Sequence, residues 1–179
     1  MNDIVIKRAN ITDIESLSRI GRQTFSETFA EMNTEENMNQ YLKESFSLEK
    51  LTSELNDPNS EIYFAMHDNH IIGYLKVNLG SSQTELKDSN ALEIERIYVL
   101  KAFHGKKVGQ LLYDTAIQIA RQVKASYVWL GVWEDNQRAL AFYRKNGFVE
   151  FDKHIFKLGE DEQTDIMMKL NIESNNNKD

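Results

Sequence analysis

A chain of 179 residues, 41% hydrophobic and 27% charged, has room for one domain with a sizeable core and the composition of a soluble globular protein. The formal net charge of −7 argues against a nucleic-acid binder, which needs a clustered positive face, and suits a cationic partner. The lack of cysteine excludes disulfides, thiolate metal sites and a cysteine nucleophile, and no stretch of about 18 apolar residues offers a membrane span.

The opening MNDIVIKRAN lacks the basic-then-apolar pattern of a signal segment, so residues 3–8 suit a first strand and the cytoplasm is the expected compartment. Thr12 and Glu15 have capping-box spacing, and Ile14, Leu17, Ile20, Phe25 and Phe29 recur at helical intervals to about Met32. Thr34 can cap a second helix through Leu42, and Ser47 a short third one. Pro58 lies in a loop, NDPNS. The runs 61–67 and 71–79 flank an Asp68-Asn69 turn and read as a hairpin, followed by a polar loop over 80–90.

Residues 91–99, ALEIERIYV, form a strand whose alternation puts Glu93 and Glu95 on one face. The loop LKAFHGKK leads into a helix with Leu111, Leu112, Ala116, Ile119, Ala120 and Val123 as its buried face. A strand at 127–132, a helix from about Asn136 closed by a left-handed cap at Gly147, and strands at 148–157 and 163–170 complete the pattern. The ending NIESNNNKD is polar and low in complexity, giving a single domain over 1–170 and a tail over 171–179. This order predicts an α/β fold: a mixed central sheet of about seven strands with helices on both faces. Its segment 91–132 is a strand–loop–helix–strand crossover, which places free N–H groups beside a strand end.

Four constellations can carry chemistry. Gly105 and Gly109 flank a helix start, where unpaired N–H groups and the helix dipole favour an anion and Lys106 and Lys107 add charge; two solvated lysines at an ordinary helix start are the alternative. In NQRALAFYRKNGF, Asn136, Leu140 and Tyr143 share one stripe and Ala139 and Phe142 another, so Phe142 can serve the core while Tyr143 reaches the edge of a cleft, or is simply a half-buried tyrosine. Glu93 and Glu95 on one strand face need water or a cation beside them. Glu27, Glu31, Glu35 and Glu36 make an acidic rim that suits a polyamine, or a solvated face. The histidines, His67, His70, His104 and His154, lack metal-ligand spacing, so no metal is expected.

Taken together these stretches resemble the GNAT superfamily of acyl-CoA N-acyltransferases. The family's phosphate loop corresponds to the run from His104 to Gly109, and a second family stretch is met by Asn136, Ala139, Phe142, Tyr143, Lys145, Gly147 and Phe148. QTFSETFAEMNTEENM, LEIERIYV, WLGVWEDN and EQTDIMMKL look most like the PaiA-like spermidine/spermine acetyltransferases. His104 and Lys107 depart from the family pattern, which has glutamine or arginine at the first position and glycine at the second.

The resemblance implies acetyl-CoA as co-substrate, its pantetheine arm along Ile97, Tyr98 and Val99 and its pyrophosphate on His104, Gly105, Lys106, Lys107, Val108 and Gly109. Asn136, Ala139, Phe142 and Lys145 join this coenzyme set, Tyr143 faces the thioester sulfur as general acid, and a backbone N–H near Ile97 takes the oxyanion. Without cysteine, direct attack by a bound amine is the simplest route. Such an amine has a pKa of about 10.4 and an ordinary glutamate about 4.3, a gap of about 8 kcal/mol, so Glu95 as the base needs a raised pKa or a water chain. Glu27, Glu31, Glu35 and Glu93 are the implied polyamine contacts. The expected partner is thus a small-molecule amine, with neither nucleic acid nor membrane, and with a homodimer left open. An acetyl-CoA-binding regulator with little turnover, or transfer to another small amine or a protein amino group, is the alternative.

Overall fold

The computed structural model describes residues 3–173. Strand β1 (Val5–Arg8) is followed by three helices, α1 (Ile14–Phe29), α2 (Glu35–Ser45) and α3 (Leu48–Asn56). A hairpin of β2 (Ser60–His67) and β3 (His70–Leu79) leads to β4 (Ala91–Val99), α4 (Val108–Gln122), β5 (Tyr127–Trp133) and α5 (Gln137–Lys145). A second hairpin, β6 (Val149–Leu158) and β7 (Asp161–Asn171), ends the fold. The seven strands form one sheet in the order β1-β2-β3-β4-β5-β7-β6, antiparallel at every junction except the parallel β4–β5 pair. This is the expected mixed α/β sheet. Among the described residues no helix is long and apolar enough to cross a membrane.

Local chemistry explains most element ends. Thr34 and Ser47 cap α2 and α3 by accepting from Asn37 N and Lys50 N. Asp68 and Asn69 both take positive φ, 47° and 63°, which matches the turn to the twist of the hairpin. The capping box before α1 sits earlier than the expected Thr12/Glu15 pair. Asn10 accepts from Thr12 N while Asp13 accepts from Asn10 N, closing a 3-10 turn from which α1 continues. At the other end β7 reaches Asn171, and Ile172 N donates to Ser126 O at 2.9 Å, slightly past the expected boundary at 170. The remainder of the predicted tail, 174–179, lies outside the described residues.

The helices cover the sheet on both faces. Leu17, Ile20 and Phe25 of α1 and Leu51 of α3 pack with Ile62, Phe64 and Tyr74 on one side. Leu112, Ala116 and Ile119 of α4 and Leu140 of α5 pack with Leu75, Val77, Val128 and Leu130 on the other. The buried stripe of α4 is rotated from the expected one. Leu111 and Val123 are 38% and 44% exposed, and Tyr113 and Ile117 take their places inside.

Strand β4 breaks the simple alternation. Ile94 pairs with Val77 but Arg96 pairs with Lys76, so Glu95 is an extra, bulged residue. Beyond it the faces exchange: Ile97 joins the α4 side, and Tyr98 pairs with Tyr74 toward α1. The bulge gathers charge under α3. Arg96 donates to both carboxylate oxygens of Glu54, at 2.9 and 2.8 Å, and Lys76 Nζ lies 3.3 Å from Glu54 and pairs with Glu95.

Glu54→Ala leaves the part-buried Arg96 without its bidentate carboxylate and buried Lys76 with Glu95 alone. We expect a loss of about 3–5 kcal/mol in a urea titration. Glu61→Ala, at the outlying pair with Arg8, should change stability by less than about 1 kcal/mol.

Candidate active site

The site is built where two strands part. β4 pairs with β5 only over Ala91–Glu93 against Tyr127–Trp129. Past that point β4 is bonded to β3 alone and β5 to β7 alone. Their facing edges carry N–H and C=O groups without a ladder partner, which suits an extended polar ligand laid between them. A cavity of about 580 Å³ occupies this fork. Ile97, Tyr98 and Val99 of β4 line it, with His104, Gly105, Lys107, Val108 and Gly109 at one end and Asn136, Ala139, Phe142, Tyr143 and Lys145 along α5. Every residue expected to hold the coenzyme lines it except Lys106, whose ammonium lies 5.2 Å over the Phe103 ring. Lys101, Phe103, Gln110, Trp133 and Arg138 also line it and were missed in the sequence. Lys101 and Gln110 directly flank the glycine-bearing loop, so widening that motif by a few positions would have found them.

The loop before α4 is shaped for an anion. Gly105 has φ 76° and Lys107 φ 64°, so lysine adopts the left-handed conformation usually left to glycine, at a cost of about 1–2 kcal/mol. The departure at Lys107 therefore leaves the loop's turn in place. The helix ladder begins with Leu111 N donating to Lys107 O at 3.2 Å, leaving the N–H groups of Val108, Gly109 and Gln110 for a ligand. His104 Nε2 lies 2.9 Å from Val99 O, and Lys101 N donates to Glu27 Oε2 at 2.6 Å; both contacts pin the loop. Asn136 caps α5 by accepting from Ala139 N at 3.2 Å, which leaves its amide N–H₂ for the cavity.

The two aromatics of α5 exchange their expected burial. Tyr143 is 5% exposed and belongs to the core cluster, whereas Phe142 is half-buried. Edge-on contacts with Phe142 and Phe148, ring centroids 5.3 and 5.5 Å away, hold the Tyr143 ring. Its hydroxyl makes no hydrogen bond among the described residues, and the residue lines the fork cavity. Burial pushes the phenol well above its ordinary range.

A second cavity, of about 290 Å³, lies on the α1 side and shares Tyr98 and Trp133 with the first. Glu85, Glu93, Glu95 and Asp165 bring carboxylates to it, and Phe25, Phe29, Tyr41 and Trp129 supply rings. Glu93 is 3% exposed and accepts from Asn78 Nδ2, Thr84 N and Thr84 Oγ1; burial still raises its carboxyl above the usual range. Burial also pushes Glu95 up, but Arg96 and Lys76 outweigh it and hold that carboxyl low. Asp165 is pushed up to about 6 by burial, with His154 pulling the other way and Glu85 adding to the rise. Of the acidic residues expected to meet an amine, Glu93 is here and Glu27 is on the rim of the first cavity. Glu31 and Glu35 are exposed and line neither. Glu85 and Asp165 were missed, because only the fold brings them beside β4. Among the described residues no group of three or more His, Asp or Glu is placed to hold a metal ion.

Residues 23–148 match the model of the acetyltransferase (GNAT) family. The chain belongs to that family. An uncharacterized N-acetyltransferase of Lactobacillus delbrueckii subsp. lactis is 38% identical over 94% of this chain and 98% of its own. The spermidine N(1)-acetyltransferase of Thermoplasma acidophilum is 27% identical over 96% and 99%. The crystal structure of PaiA N-acetyltransferase from T. acidophilum in complex with coenzyme A superposes with a TM-score of 0.79 at 25% identity, covering 95% of this chain and 99% of that one.

The GNAT chain is thus an N-acetyltransferase, and the fork cavity fits its donor: unpaired strand edges for an amide-bearing arm, and a helix start beside Lys101 and Lys107 for phosphates. Lys107 bears two opposed effects, backbone strain and positive charge. In this GNAT protein Lys107→Gly should raise stability in a thermal melt, by up to about 1 kcal/mol. It should also weaken coenzyme A binding several-fold by calorimetry, the scale of an exposed ion pair. Tighter binding would rule out a phosphate contact.

Proposed function

We propose that this GNAT enzyme moves the acetyl group of acetyl-CoA directly to a primary amine, and that the amine is a polyamine of the spermidine or spermine class. Acetyl-CoA is the donor of GNAT acetyltransferases. The observation that carries the reading is the meeting of two unlike cavities at Tyr98 and Trp133. One offers strand edges and a phosphate loop; the other offers carboxylates and aromatic faces, the groups that recognise alkyl ammonium ions. The similarity to a spermidine N(1)-acetyltransferase supports the choice of amine.

In this reading Tyr143 supplies the proton to the departing thiolate. Burial keeps the phenol protonated and widens its gap to a thiol, so proton donation accompanies C–S cleavage rather than preceding it. A backbone N–H near Ile97, on the unpaired edge of β4, stabilises the oxyanion. Glu95 assists deprotonation through its charge: paired with Lys76 and held low, it stays an anion and draws the ammonium into the second cavity.

Thiol release from acetyl-CoA with spermidine, spermine and a monoamine of similar length tests the function. We expect kcat/KM for the polyamines to exceed that for the monoamine by at least about tenfold, the worth of one further charge contact. No release with any amine, alongside tight acetyl-CoA binding, would make the protein a coenzyme-binding regulator instead. Tyr143→Phe should lower kcat by about 10²–10⁴-fold with coenzyme affinity nearly unchanged. Retention of full kcat would remove the acid role.

A further inference from the structure

We propose that Asp165 is the carboxylate that receives the acceptor's ammonium group and takes its proton before attack. The assignment rests on the amine-transfer reading above and names the proton acceptor that reading needs.

Position is the first argument. Asp165 on β7 pairs with Trp133 of β5 and with His154 of β6. Trp133 lines both cavities, so Asp165 stands beside the place where they meet. Its side chain lies across Gly131, where a Cβ would come within 3.4 Å of Asp165 Oδ2. A glycine here keeps the floor of the cavity flat next to that oxygen, leaving room for a group to approach it.

The second argument is availability. Both oxygens of Glu93 accept hydrogen bonds from Thr84 and Asn78. Glu95 is paired with Lys76, and Glu85 Oε1 lies 3.1 Å from His154 Nδ1. Asp165 makes no hydrogen bond or ion pair among the described residues, yet it lines the cavity. Its lone pairs are therefore the ones open to an incoming N–H.

The third argument is chemical match. Burial in this pocket pushes the Asp165 carboxyl up to about 6, so it lies about four decades below an alkyl ammonium instead of the six of an ordinary carboxylate. His154 faces it from β6 and Glu85 from the preceding loop, while Glu93, Glu95, Arg96 and Tyr98 face the same space from β4. Tyr41 of α2 and Lys50 of α3 close it from above. Asp165 is still mostly ionised at neutral pH and so is ready to accept.

The proton accounting closes. The ammonium R–NH₃⁺ gives one proton to Asp165, and the freed lone pair forms the C–N bond to the thioester carbonyl carbon. The C–S bond breaks, and its electron pair leaves on sulfur, which takes the Tyr143 proton. The new nitrogen then sheds a second proton, restoring the phenol, and Asp165 releases its own to water. The products are the acetamide, free coenzyme A and one proton.

Steady-state kinetics with spermidine over pH 5–9 test the assignment. In the wild type, kcat/KM should fall as pH drops through about 6, because protonated Asp165 can no longer accept. Asp165→Asn should lower kcat at least about 100-fold and remove that acid limb, while coenzyme A binding by calorimetry stays unchanged. Asp165→Glu should restore part of kcat and bring the limb back at a shifted pH. Asp165→Asn within about threefold of wild-type kcat, with its acid limb intact, would overturn the assignment and leave the transfer reading standing. A wild type that acetylates no amine would overturn both, so the two failures are distinguishable.

Discussion

The structure depends on the separation of β4 from β5 after three residue pairs. Had the parallel ladder continued, the backbone groups of 94–99 and 130–133 would satisfy each other and the sheet would be closed. Because it stops, two strand edges in the middle of a sheet face each other across a gap, a place where unpaired backbone groups are costly unless something polar comes in. The bulge at Glu95 sits at this point and raises the local twist, which turns β4 away. The parallel pairing also requires a crossover, and that crossover is α4, whose N-terminus then stands at the open end of the fork. Slot and anion site thus have one topological origin.

The same bulge sorts the carboxylates. By adding a residue it brings Glu95 and Arg96 toward Lys76 and Glu54, and the resulting ion cluster fixes Glu95 as an anion. Asp165, two strands away, has no ion pair among the described residues and is half-buried, with Glu85 adding to the rise of its carboxyl. Similar side chains in one cavity thereby have their acidities moved in opposite directions by their neighbours rather than by their own chemistry, which is what the proposed division of tasks needs.

What the sequence disclosed follows from the range of the interactions involved. The capping residues Thr34 and Ser47, the Asp68-Asn69 turn, the strand–loop–helix crossover and the α5 stretch rest on contacts within a few residues, and the local pattern expressed them. The residues expected to hold the coenzyme also lie in two short runs, 97–109 and 136–145, and almost all of them line the fork. The bulge left no such mark: ALEIERIYV reads as plain alternation, and only the Val77–Ile94 and Lys76–Arg96 pairings reveal the extra residue. The acceptor side was harder still. Its walls come from α1, α2, α3, the 80–90 loop, β4, β5, β6 and β7, so the sequence pattern pointed to Glu31 and Glu35 and gave no sign of Asp165, far beyond β4 along the chain and two strands across the sheet from it. Leu111 misled for a different reason, since the burial of a helix face depends on its rotation against the sheet and leucine's apolarity does not report it.

The two cavities also constrain the order of events. They share only Tyr98 and Trp133 in their walls, with Tyr143 lining one and Asp165 the other. A chain without cysteine offers no thiol to carry the acetyl group from one to the other. In the direct transfer proposed above, the amine comes to the junction while the donor is still in the fork, so both substrates occupy the enzyme together. Aromatic rings wall both approaches, Phe142 and Phe148 around the phenol and Phe29 and Trp133 near the junction. Burial among such walls raises the Tyr143 phenol and the Asp165 carboxyl, and the same lining would keep water from a thioester held there. In the proposed reaction, protection of the donor and adjustment of the two groups assigned to proton transfer are consequences of one apolar lining.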